Sequence, residues 1–265
     1  IIISVVASTA MAYIETSKPF IHISDTTFSR MVNYYPAYMG LTPISIKEGN
    51  EIEKNVLKKS LFNVFASEWA RQSSINDYKT SPLKNFCIPF GANIDTFPTI
   101  NWTTKKTLKP INLLFLGVDW NRKGGYTAFR VYQSLKEQNI PVSLTVCGCK
   151  LPFKNKDLDI TNIPFLNKND ASDYQKFVEI LNKTHFLILP TIAECYGIVF
   201  CEASAFGIPS LTYNTGGVSS AVYNYINGIL FQPTDTYEKF VEQILYYYKH
   251  PEQYFQLAQS TRNFF

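Results

Sequence analysis

Two features that would assign a chain to a broad functional class are weak or missing in this sequence. The excess of positive charge is small, with 25 Lys and Arg against 21 Asp and Glu in 265 residues, a formal net charge of +4. This excess is too weak to indicate a nucleic-acid partner, although it is compatible with a nucleotide ligand and with loose contact to an anionic membrane surface. The apolar run at residues 1–6 is too short to span a membrane and has no basic leader, so it indicates neither a spanning helix nor a signal peptide.

Disulfide and metal-binding patterns are also lacking. The chain has five cysteines, and Cys147 and Cys149 have no second Cys or His pair at metal-site spacing. We therefore predict reduced cysteines in a cytoplasmic protein, and no zinc site. Asp157 and Asp159 have the spacing of a metal-binding D-x-D element, but they lie in a Lys-rich polar stretch and are predicted to be solvated.

Two cofactor motifs of α/β enzymes are missing as well. A dinucleotide-binding enzyme would carry G-x-G-x-x-G after a strand, and the glycines of residues 117–125 do not have that spacing. No lysine lies in a context that is recognisable as a pyridoxal site. The sequence therefore gives no support to a dinucleotide oxidoreductase or a pyridoxal-dependent phosphorylase, and we expect no cofactor.

What the sequence does contain is a regular alternation of apolar strands and amphipathic helices. Strands and helices of these lengths, in regular alternation, predict an α/β fold with parallel sheets and right-handed crossovers. A polar run at residues 99–110 separates two such stretches and is predicted to be a linker. The predicted strands are residues 1–6, 19–23, 61–66 and 86–89, strands opening at 111 and 142, and residues 185–189, 210–213 and 228–231. The predicted helices are residues 51–59, 68–76 after an N-cap at Ser67, 126–137, 174–182, 198–206 and an apolar stripe at 237–248.

The most informative run is residues 190–210, in which two glutamates lie eight positions apart. Glu194 follows a buried-strand pattern and precedes a glycine turn at Gly197, and Glu202 lies inside the helix-like run that follows. Open α/β sheets bind ligands at loops of this kind, at the carboxyl ends of strands. Carboxylates accept hydrogen bonds from sugar and ribose hydroxyls, and a helix N-terminus offers free N–H groups to an anion. The alternative is that both glutamates are solvated carboxylates on the surface. Against it, the glycines and prolines of this run lie where such a fold needs turns and helix ends.

This run resembles the E-x7-E element of the retaining nucleotide-sugar glycosyltransferases of the GT4 family, which have the two-Rossmann-domain GT-B architecture. The matching positions are Pro190, Glu194, Gly197, Glu202, Ala203, Ala205, Gly207, Pro209, Gly216 and Gly217. The resemblance implies that residues 1–98 belong to an acceptor-side Rossmann-like domain, that residues 99–110 are the interdomain linker, and that residues 111–265 bind the nucleotide-sugar donor. It also implies an incomplete N-terminal domain and a chain truncated at both ends.

A basic loop between glycines is the second element of the resemblance. Gly117 ends a short apolar strand, and Arg122 and Lys123 come just before Gly124. In the family, a basic pair in this loop neutralises the donor diphosphate, whose negative charge grows as the glycosidic bond breaks. Arg can grip two phosphate oxygens, and Lys acts as a point charge. Many relatives have an arginine at the position of Val118, so we expect Arg122 to take over that task, with a solvated basic turn as the alternative.

The N-terminal half matches a subgroup of the family at residues 23–28, 65–69 and 89–93, so the resemblance spans nearly the whole chain. It implies that His22 and Asp25 line the cleft between the domains, with Asp25 facing the acceptor sugar or the donor sugar. For His22 the sequence leaves a second role open, that of a strand-end histidine with a structural hydrogen bond.

The resemblance also implies a reaction and a role for each site residue. A sugar passes from a nucleoside diphosphate sugar to an acceptor with retention at the anomeric carbon, without metal, cofactor or protein nucleophile. Arg122 and Lys123 bind the diphosphate and Glu194 holds a hydroxyl of the donor sugar, and these three are the predicted catalytic residues. Glu202 accepts hydrogen bonds from the ribose, and backbone amides contact sugar and phosphate. The predicted donor-binding residues are Gly117, Glu194, Cys195, Tyr196, Gly197, Ile198, Val199 and Glu202.

The sequence does not identify the nucleotide base, the sugar or the acceptor, which can be a glycan, a lipid or a small molecule. Two alternatives to the transferase remain. One is an inactive fragment or a non-catalytic relative that binds nucleotide sugars, and the other is a different two-Rossmann enzyme such as a sugar-nucleotide epimerase. We expect a cytoplasmic protein, and peripheral contact with a membrane stays open.

Overall fold

Two compact units make up the chain, of which this computed structural model describes residues 1–95, 98–100, 102 and 107–265. The first unit consists of Ile1–Phe90, Ala193–Gly197 and Gly216–Ala221. The second unit consists of Gly91–Ile192, Ile198–Thr215 and Val222–Phe265. The predicted linker and the end of the predicted N-terminal range lie partly outside the described residues, at positions 96, 97, 101 and 103–106.

The sheet of the first unit has four parallel strands in the order β1-β2-β3-β4. The strands are β1 (Ile2–Val5), β2 (Phe20–Ser24), β3 (Phe62–Phe65) and β4 (Asn85–Cys87). The helices are Ser8–Met11, Phe28–Met31, Pro43–Lys59 and Glu68–Asn76, with short 3-10 turns at Pro36–Tyr38 and Pro82–Lys84. Helical segments therefore connect successive parallel strands, as the alternating pattern of the sequence predicts.

Two helices of this unit begin at side-chain caps. Ser67 accepts a hydrogen bond from a backbone amide in the first turn of Glu68–Asn76, so the predicted N-cap is confirmed. Thr42 caps Pro43–Lys59 in the same way. The predicted start of that helix at residue 51 is wrong. The cap and the proline after it begin the helix earlier, in turns with too few apolar residues to show helical periodicity.

The two faces of the first sheet differ from the usual pattern of apolar residues inside and polar residues outside. On one face, a row of buried polar side chains crosses the four strands in register: Ser4, His22, Asn63 and Asn85. On the other face, large apolar side chains are exposed, among them Ile3, Val5, Phe62 and Phe86. The prediction of a buried strand at residues 61–66 is therefore wrong in part, because Phe62 of β3 is 38% exposed on this open face.

The sheet of the second unit has six parallel strands in the order β10-β9-β8-β5-β6-β7. The strands are β5 (Ile111–Leu116), β6 (Val142–Cys147), β7 (Ile160–Ile163), β8 (Phe186–Ile188), β9 (Ser210–Tyr213) and β10 (Gly228–Phe231). The strand order changes direction between β5 and β8, which makes the carboxyl ends of these two strands the expected ligand-binding edge. The sequence did not predict β7, because Thr161 and Asn162 interrupt its apolar pattern.

The helices described in the second unit are Gly125–Glu137, Ala171–Lys183, Ile198–Ala205, Tyr237–Lys249 and Pro251–Phe264. In Tyr237–Lys249 the side chains of Phe240, Val241 and Ile244 are buried, so the predicted apolar stripe does contribute to the core. None of the helices that the structure describes has both the length and the apolar character needed to cross a bilayer. The predicted α/β class, with two parallel sheets, is confirmed.

Candidate functional site

The loops that follow β5 and β8 contact each other through their backbones. The Ile192 amide donates a hydrogen bond to the Arg122 carbonyl at 2.9 Å, and the Thr191 hydroxyl donates to the same oxygen at 3.2 Å. Gly124 has a left-handed φ of 79°, and a Cβ on it would collide with the Pro190 carbonyl. Glycine is required at this position, because it lets the basic loop approach the end of β8.

The predicted diphosphate-binding pair lies in the loop after β5. The Arg122 amide donates to the Asp119 carboxylate at 3.0 Å, and the guanidinium Nε is 3.9 Å from that group. The Arg122 side chain is 14% exposed. Lys123 is buried, and its aliphatic stem packs so closely on Gly117 that an added Cβ would lie 3.0 Å from Lys123 Cγ. Partial burial strengthens the attraction of both cations for an anion, whereas Val118, at the departure from the family pattern, is exposed and brings no charge.

Helix Ile198–Ala205 begins at the end of the loop that follows β8. Gly197, with a left-handed φ of 91°, immediately precedes it. The residues from Phe200 to Ala205 are buried, while Ile198 is 41% exposed. The amino end is therefore the part of this helix that reaches solvent. The first amides of a helix carry partial positive charge and bind anions.

Glu202 lies within this helix, and its side chain is 6% exposed. The Lys168 ammonium group contacts Glu202 Oε1, and the Asn93 backbone amide donates to the same carboxylate. Lys168 Nζ also lies 4.2 Å from the centre of the Phe177 ring. Burial raises the pKa of Glu202, and the charge of Lys168 opposes that rise. Lys168 could not be predicted from the sequence, because it lies in a polar loop without a motif, far from Glu202 along the chain.

In the first unit, two tyrosines hold the segment Ala193–Gly197. The Tyr34 phenol oxygen accepts a hydrogen bond from the Glu194 amide at 2.9 Å, and that of Tyr35 accepts one from the Cys195 amide at 3.2 Å. The Tyr35 hydroxyl donates to Glu194 Oε1 at 3.5 Å, so it also orients the carboxylate. Neither tyrosine could be predicted from the sequence, because their stretch of the chain shows no clear strand or helix periodicity.

The Gly-Gly turn of the sequence pattern packs against the same loop. The Gly217 amide donates to the Glu194 carbonyl at 3.1 Å. A Cβ on Gly216 would collide with that carbonyl, and a Cβ on Gly217 would collide with the carbonyl of Cys195. Both glycines are therefore needed for a backbone contact that positions Glu194.

Asp25 and His22 differ in their surroundings. Burial raises the pKa of the Asp25 carboxyl group, and the negative charge of Glu194 contributes to that rise. His22 is fully buried in β2, in register with Ser4 and Asn63. Burial lowers the pKa of His22 to about 4, and among the described residues neither ring nitrogen has a hydrogen-bond partner. His22 is thus a neutral interior side chain near pH 7, without the structural hydrogen bond considered above.

The predicted site residues fall into two groups. The first unit holds His22, Asp25, Glu194, Cys195, Tyr196 and Gly197, and the second unit holds Gly117, Arg122, Lys123, Ile198, Val199 and Glu202. The Tyr196 hydroxyl donates to the Phe90 carbonyl at 2.8 Å, and burial raises the pKa of the Cys195 thiol to about 12. Both side chains are therefore part of the interior, and the Cys195 backbone amide is already bonded to the Tyr35 phenol oxygen.

Comparison with known proteins identifies the family. The model of the glycosyl transferases group 1 family matches residues 97–264, more than half of the chain. The chain belongs to this family. Over 134 residues it is 28% identical to glycogen synthase of Mycobacterium tuberculosis, a match that covers 48% of this chain and 31% of that protein. The match thus spans about a third of the length of this curated relative.

Several solved structures, a glycosyltransferase among them, match nearly the whole of this chain. WaaG, a glycosyltransferase involved in lipopolysaccharide biosynthesis, matches with a TM-score of 0.69 and 17% identity over 94% of this chain and 73% of its own. Anabaena Alr3699/HepE in complex with UDP and glucose matches with a TM-score of 0.68 and 13% identity over 93% of this chain and 66% of its own. Sucrose-phosphate synthase from Thermosynechococcus elongatus matches with a TM-score of 0.68 and 18% identity over 94% of this chain and 63% of its own. At these identities the likeness shows the fold, and the predicted GT-B fold is confirmed.

Proposed function

We propose that the protein to which this chain belongs is a retaining glycosyltransferase that uses a nucleoside diphosphate sugar as donor. The observation that carries the proposal is the switch point of the second sheet. There the basic loop after β5 contacts Thr191 and Ile192, which follow β8 in the same connection that leads to helix Ile198–Ala205. Such an edge suits an anionic diphosphate. Membership of the group 1 family and the likeness to a structure that contains UDP and glucose support the same class of donor.

The bond changes of the reaction define the role of the basic pair. The bond between the anomeric carbon and the diphosphate oxygen breaks, and the oxygen keeps the electron pair. Arg122 and Lys123 stabilise the negative charge that develops there. The acceptor hydroxyl oxygen bonds to the anomeric carbon on the face that the diphosphate leaves, and its proton passes to an oxygen of the departing phosphate. The configuration is retained, and no protein nucleophile takes part.

We assign the recognition of the donor sugar to a group of side chains in the first unit. Glu194 accepts a hydrogen bond from a sugar hydroxyl, and Tyr35 orients its carboxylate through the contact at 3.5 Å. Asp25 lies near enough for its charge to interact with that of Glu194. Carboxylates at close range can accept from several hydroxyls of one sugar ring. The proposal therefore adds Tyr35 to the residues predicted from the sequence.

Glu202 is assigned to the ribose of the nucleotide. Lys168 opposes the rise in the Glu202 pKa that burial causes, and so favours the ionised carboxylate. An ionised carboxylate accepts stronger hydrogen bonds from hydroxyls than a neutral one does. Lys168 thus acts as a positioning residue for the proposed ribose contact.

The proposed reaction is independent of metal ions and organic cofactors, because the basic pair and the helix amino end can supply the positive charge that the diphosphate needs. The acceptor is a glycan, a lipid or a small molecule. With a lipid acceptor the protein would act from the cytoplasm at a membrane surface. We expect EDTA to leave nucleotide affinity unchanged, and a fall in affinity that Mg²⁺ restores would contradict metal independence.

Calorimetric titration of UDP, GDP and ADP tests the donor site and identifies the base. Lys123→Ala should raise the Kd of the preferred diphosphate by roughly tenfold to a hundredfold, as expected for loss of a charged hydrogen bond of about 1.5–3 kcal/mol. The same variant should leave the Kd of the corresponding nucleoside unchanged. Lys176→Ala is the matched control, since Lys176 is an exposed lysine paired with Asp173. Equal losses for nucleoside and diphosphate would refute the role of Lys123.

A transfer assay separates the enzyme from the non-catalytic alternative. Nucleotide-sugar binding without turnover on any acceptor of a mixed panel would favour a binding protein. The anomeric proton coupling of a product, measured by NMR, reports the stereochemistry. A product with inverted configuration would refute the retaining mechanism.

A further inference from the structure

A cavity of about 290 Å³ in the second unit is not part of the proposed donor site. It is lined by Tyr225, Tyr247, Gln253, Gln256, Leu257 and Ser260. The last four of these residues occupy positions i, i+3, i+4 and i+7 of Pro251–Phe264, so they share one face of that helix. The side chains that line the cavity, as the structure describes it, are uncharged, and two of them are aromatic.

The outer wall of the cavity is an exposed aromatic ring on a firmly held turn. Tyr225 is 62% exposed and has a left-handed φ of 61°. This conformation costs free energy for a residue with a side chain, and such strain is concentrated at functional sites. The Tyr225 amide donates to the Gly228 carbonyl at 2.7 Å, and the side chain of the buried Asn227 accepts from the Tyr223 amide at 2.7 Å. These hydrogen bonds fix the backbone of the turn, and the Tyr225 ring on it is largely exposed to solvent.

The inner wall supplies neutral hydrogen-bonding groups. Tyr247 lies on the adjacent helix and is buried. Burial, and then the nearby phenol of Tyr225, raise the pKa of Tyr247 to about 12, so its hydroxyl stays protonated at neutral pH. The Gln256 amide can both donate and accept, and the Gln253 amide, whose oxygen accepts from the Tyr246 hydroxyl, can donate through its nitrogen.

This combination fits a sugar ring better than other small ligands. A pyranose has an apolar C–H face that packs on an aromatic ring, and an edge of hydroxyls that both donate and accept. A phosphate ligand would need a cation in the lining, and an acyl chain would need a longer apolar wall than Leu257 provides.

We propose that this cavity binds one residue of a neutral saccharide, with the sugar ring on Tyr225 and its hydroxyls bonded to Gln253 and Gln256. The site holds a carbohydrate chain on the second unit independently of nucleotide binding. Its residues are separate from those assigned to the donor.

Saturation-transfer NMR with maltotriose and cellotriose as probes tests the site on the 265-residue chain. We expect transfer from aromatic protons to at least one trisaccharide, unchanged when UDP is present. Tyr225→Gly should weaken binding roughly tenfold or more. It should not lower the melting temperature, because glycine suits the left-handed turn. Tyr13→Ala, which removes a similarly exposed ring (67%) in the first unit, is the control and should retain the signal.

The proposal is overturned if neither trisaccharide receives saturation from the wild-type chain, or if Tyr225→Gly gives the wild-type signal. If Tyr225→Gly proves unstable, Gln256→Ala replaces it, since the residue is exposed on a helix where alanine is well tolerated. A wild-type signal in Gln256→Ala would then overturn the assignment. Failure of UDP to bind would refute the donor site and leave this site unaffected.

Discussion

The contact between Lys168 and Glu202 controls the charge of the side chain that we assign to the ribose. Because Lys168 opposes the rise in the Glu202 pKa, removing its ammonium group should raise that pKa further. In Lys168→Met we expect the affinity for UDP to fall as the pH is lowered, over a pH range in which the affinity of the wild type falls less. At the low end of that range the loss should approach about 1.5–3 kcal/mol, or roughly tenfold to a hundredfold in Kd.

Calorimetric titration of UDP at several pH values measures this effect. Lys176→Met is the matched control, because it removes a lysine whose ion pair with Asp173, at 3.1 Å, lies on the surface. A UDP analogue without ribose hydroxyls should lose less affinity than UDP when Lys168 is replaced. Superimposable pH profiles for the wild type and Lys168→Met would contradict the proposed role.

Two buried ionisable side chains of the first unit should make the free energy of unfolding depend on pH in opposite directions. Burial lowers the pKa of His22 to about 4 and raises the pKa of Glu53 to about 7. At His22 the unfolded chain binds more protons, so stability is lost as the pH falls from about 6.5 towards 4. At Glu53 the folded chain binds more protons, so stability is lost as the pH rises from about 4.5 towards 7.

Single substitutions should separate these two contributions. His22→Leu removes the contribution of His22 and keeps that of Glu53. The free energy of unfolding of this variant should therefore fall relative to that of the wild type as the pH rises from about 5 to 6.5. Glu53→Gln keeps the contribution of His22, so its free energy of unfolding should rise relative to that of the wild type over the same pH range. Each displacement is worth at most about 3 kcal/mol. Urea denaturation at a series of pH values provides the comparison, and pH slopes of the same sign for both variants, relative to the wild type, would refute the assignment.

At the level of loops and helices, Gly124 determines how the basic loop meets the end of β8. Gly124→Ala places a Cβ against the Pro190 carbonyl and forces a non-glycine residue into a left-handed conformation. We expect a loss of stability of at least about 1–2 kcal/mol. We also expect weaker UDP binding, because the carbonyl of Arg122 would lose its contact with the loop after β8.

Gly91→Ala is the matched control for this variant. A Cβ on Gly91 would meet no atom within 4 Å, and its φ is not in the left-handed region. Thermal unfolding and UDP titration should therefore give nearly wild-type values for Gly91→Ala. A Gly124→Ala protein with unchanged stability and affinity would show that the approach of the two loops is not needed.

Local signals explain which elements could be predicted from the sequence. The cap at Ser67 and the helix after Gly197 were predicted well, because cap residues and glycines act on the backbone beside them. Strand β7 could not be predicted, because its stability comes from pairing with β6 and not from its own periodicity. The first turns of Pro43–Lys59 begin at a local cap and proline, but they have too few apolar residues for a periodic pattern to show them.

The same distinction holds for the candidate site. The glutamates and the basic pair follow from a motif, since their spacing is fixed along the chain. Tyr34, Tyr35 and Lys168 could not be predicted, because each meets its glutamate through a contact between segments far apart in sequence. The polar row that buries His22 likewise depends on the register of four strands.

For the molecule as a whole, the exposed apolar face of the first sheet should govern behaviour in solution. Parallel sheets are usually covered on both faces, and large apolar patches mediate association. Ile3, Val5, Phe62 and Phe86 are 65%, 58%, 38% and 43% exposed, and the rings of Phe62 and Phe86 are 5.4 Å apart. We expect the 265-residue chain to bind a fluorescent apolar dye and to self-associate as its concentration rises.

Replacing one side chain of this face with lysine should reduce both dye binding and self-association, because the charged group would be desolvated in any contact that buries it. Phe62→Lys is suitable, since Phe62 is partly exposed and lies on the inner strand β3, where the substitution does not alter a sheet edge. Leu158→Lys, at a residue 98% exposed in the second unit, is the control and should behave as the wild type. Sedimentation velocity over a range of concentrations and dye fluorescence provide the measurements. A wild-type chain that stays monomeric and binds no dye would mean that this face is covered in solution.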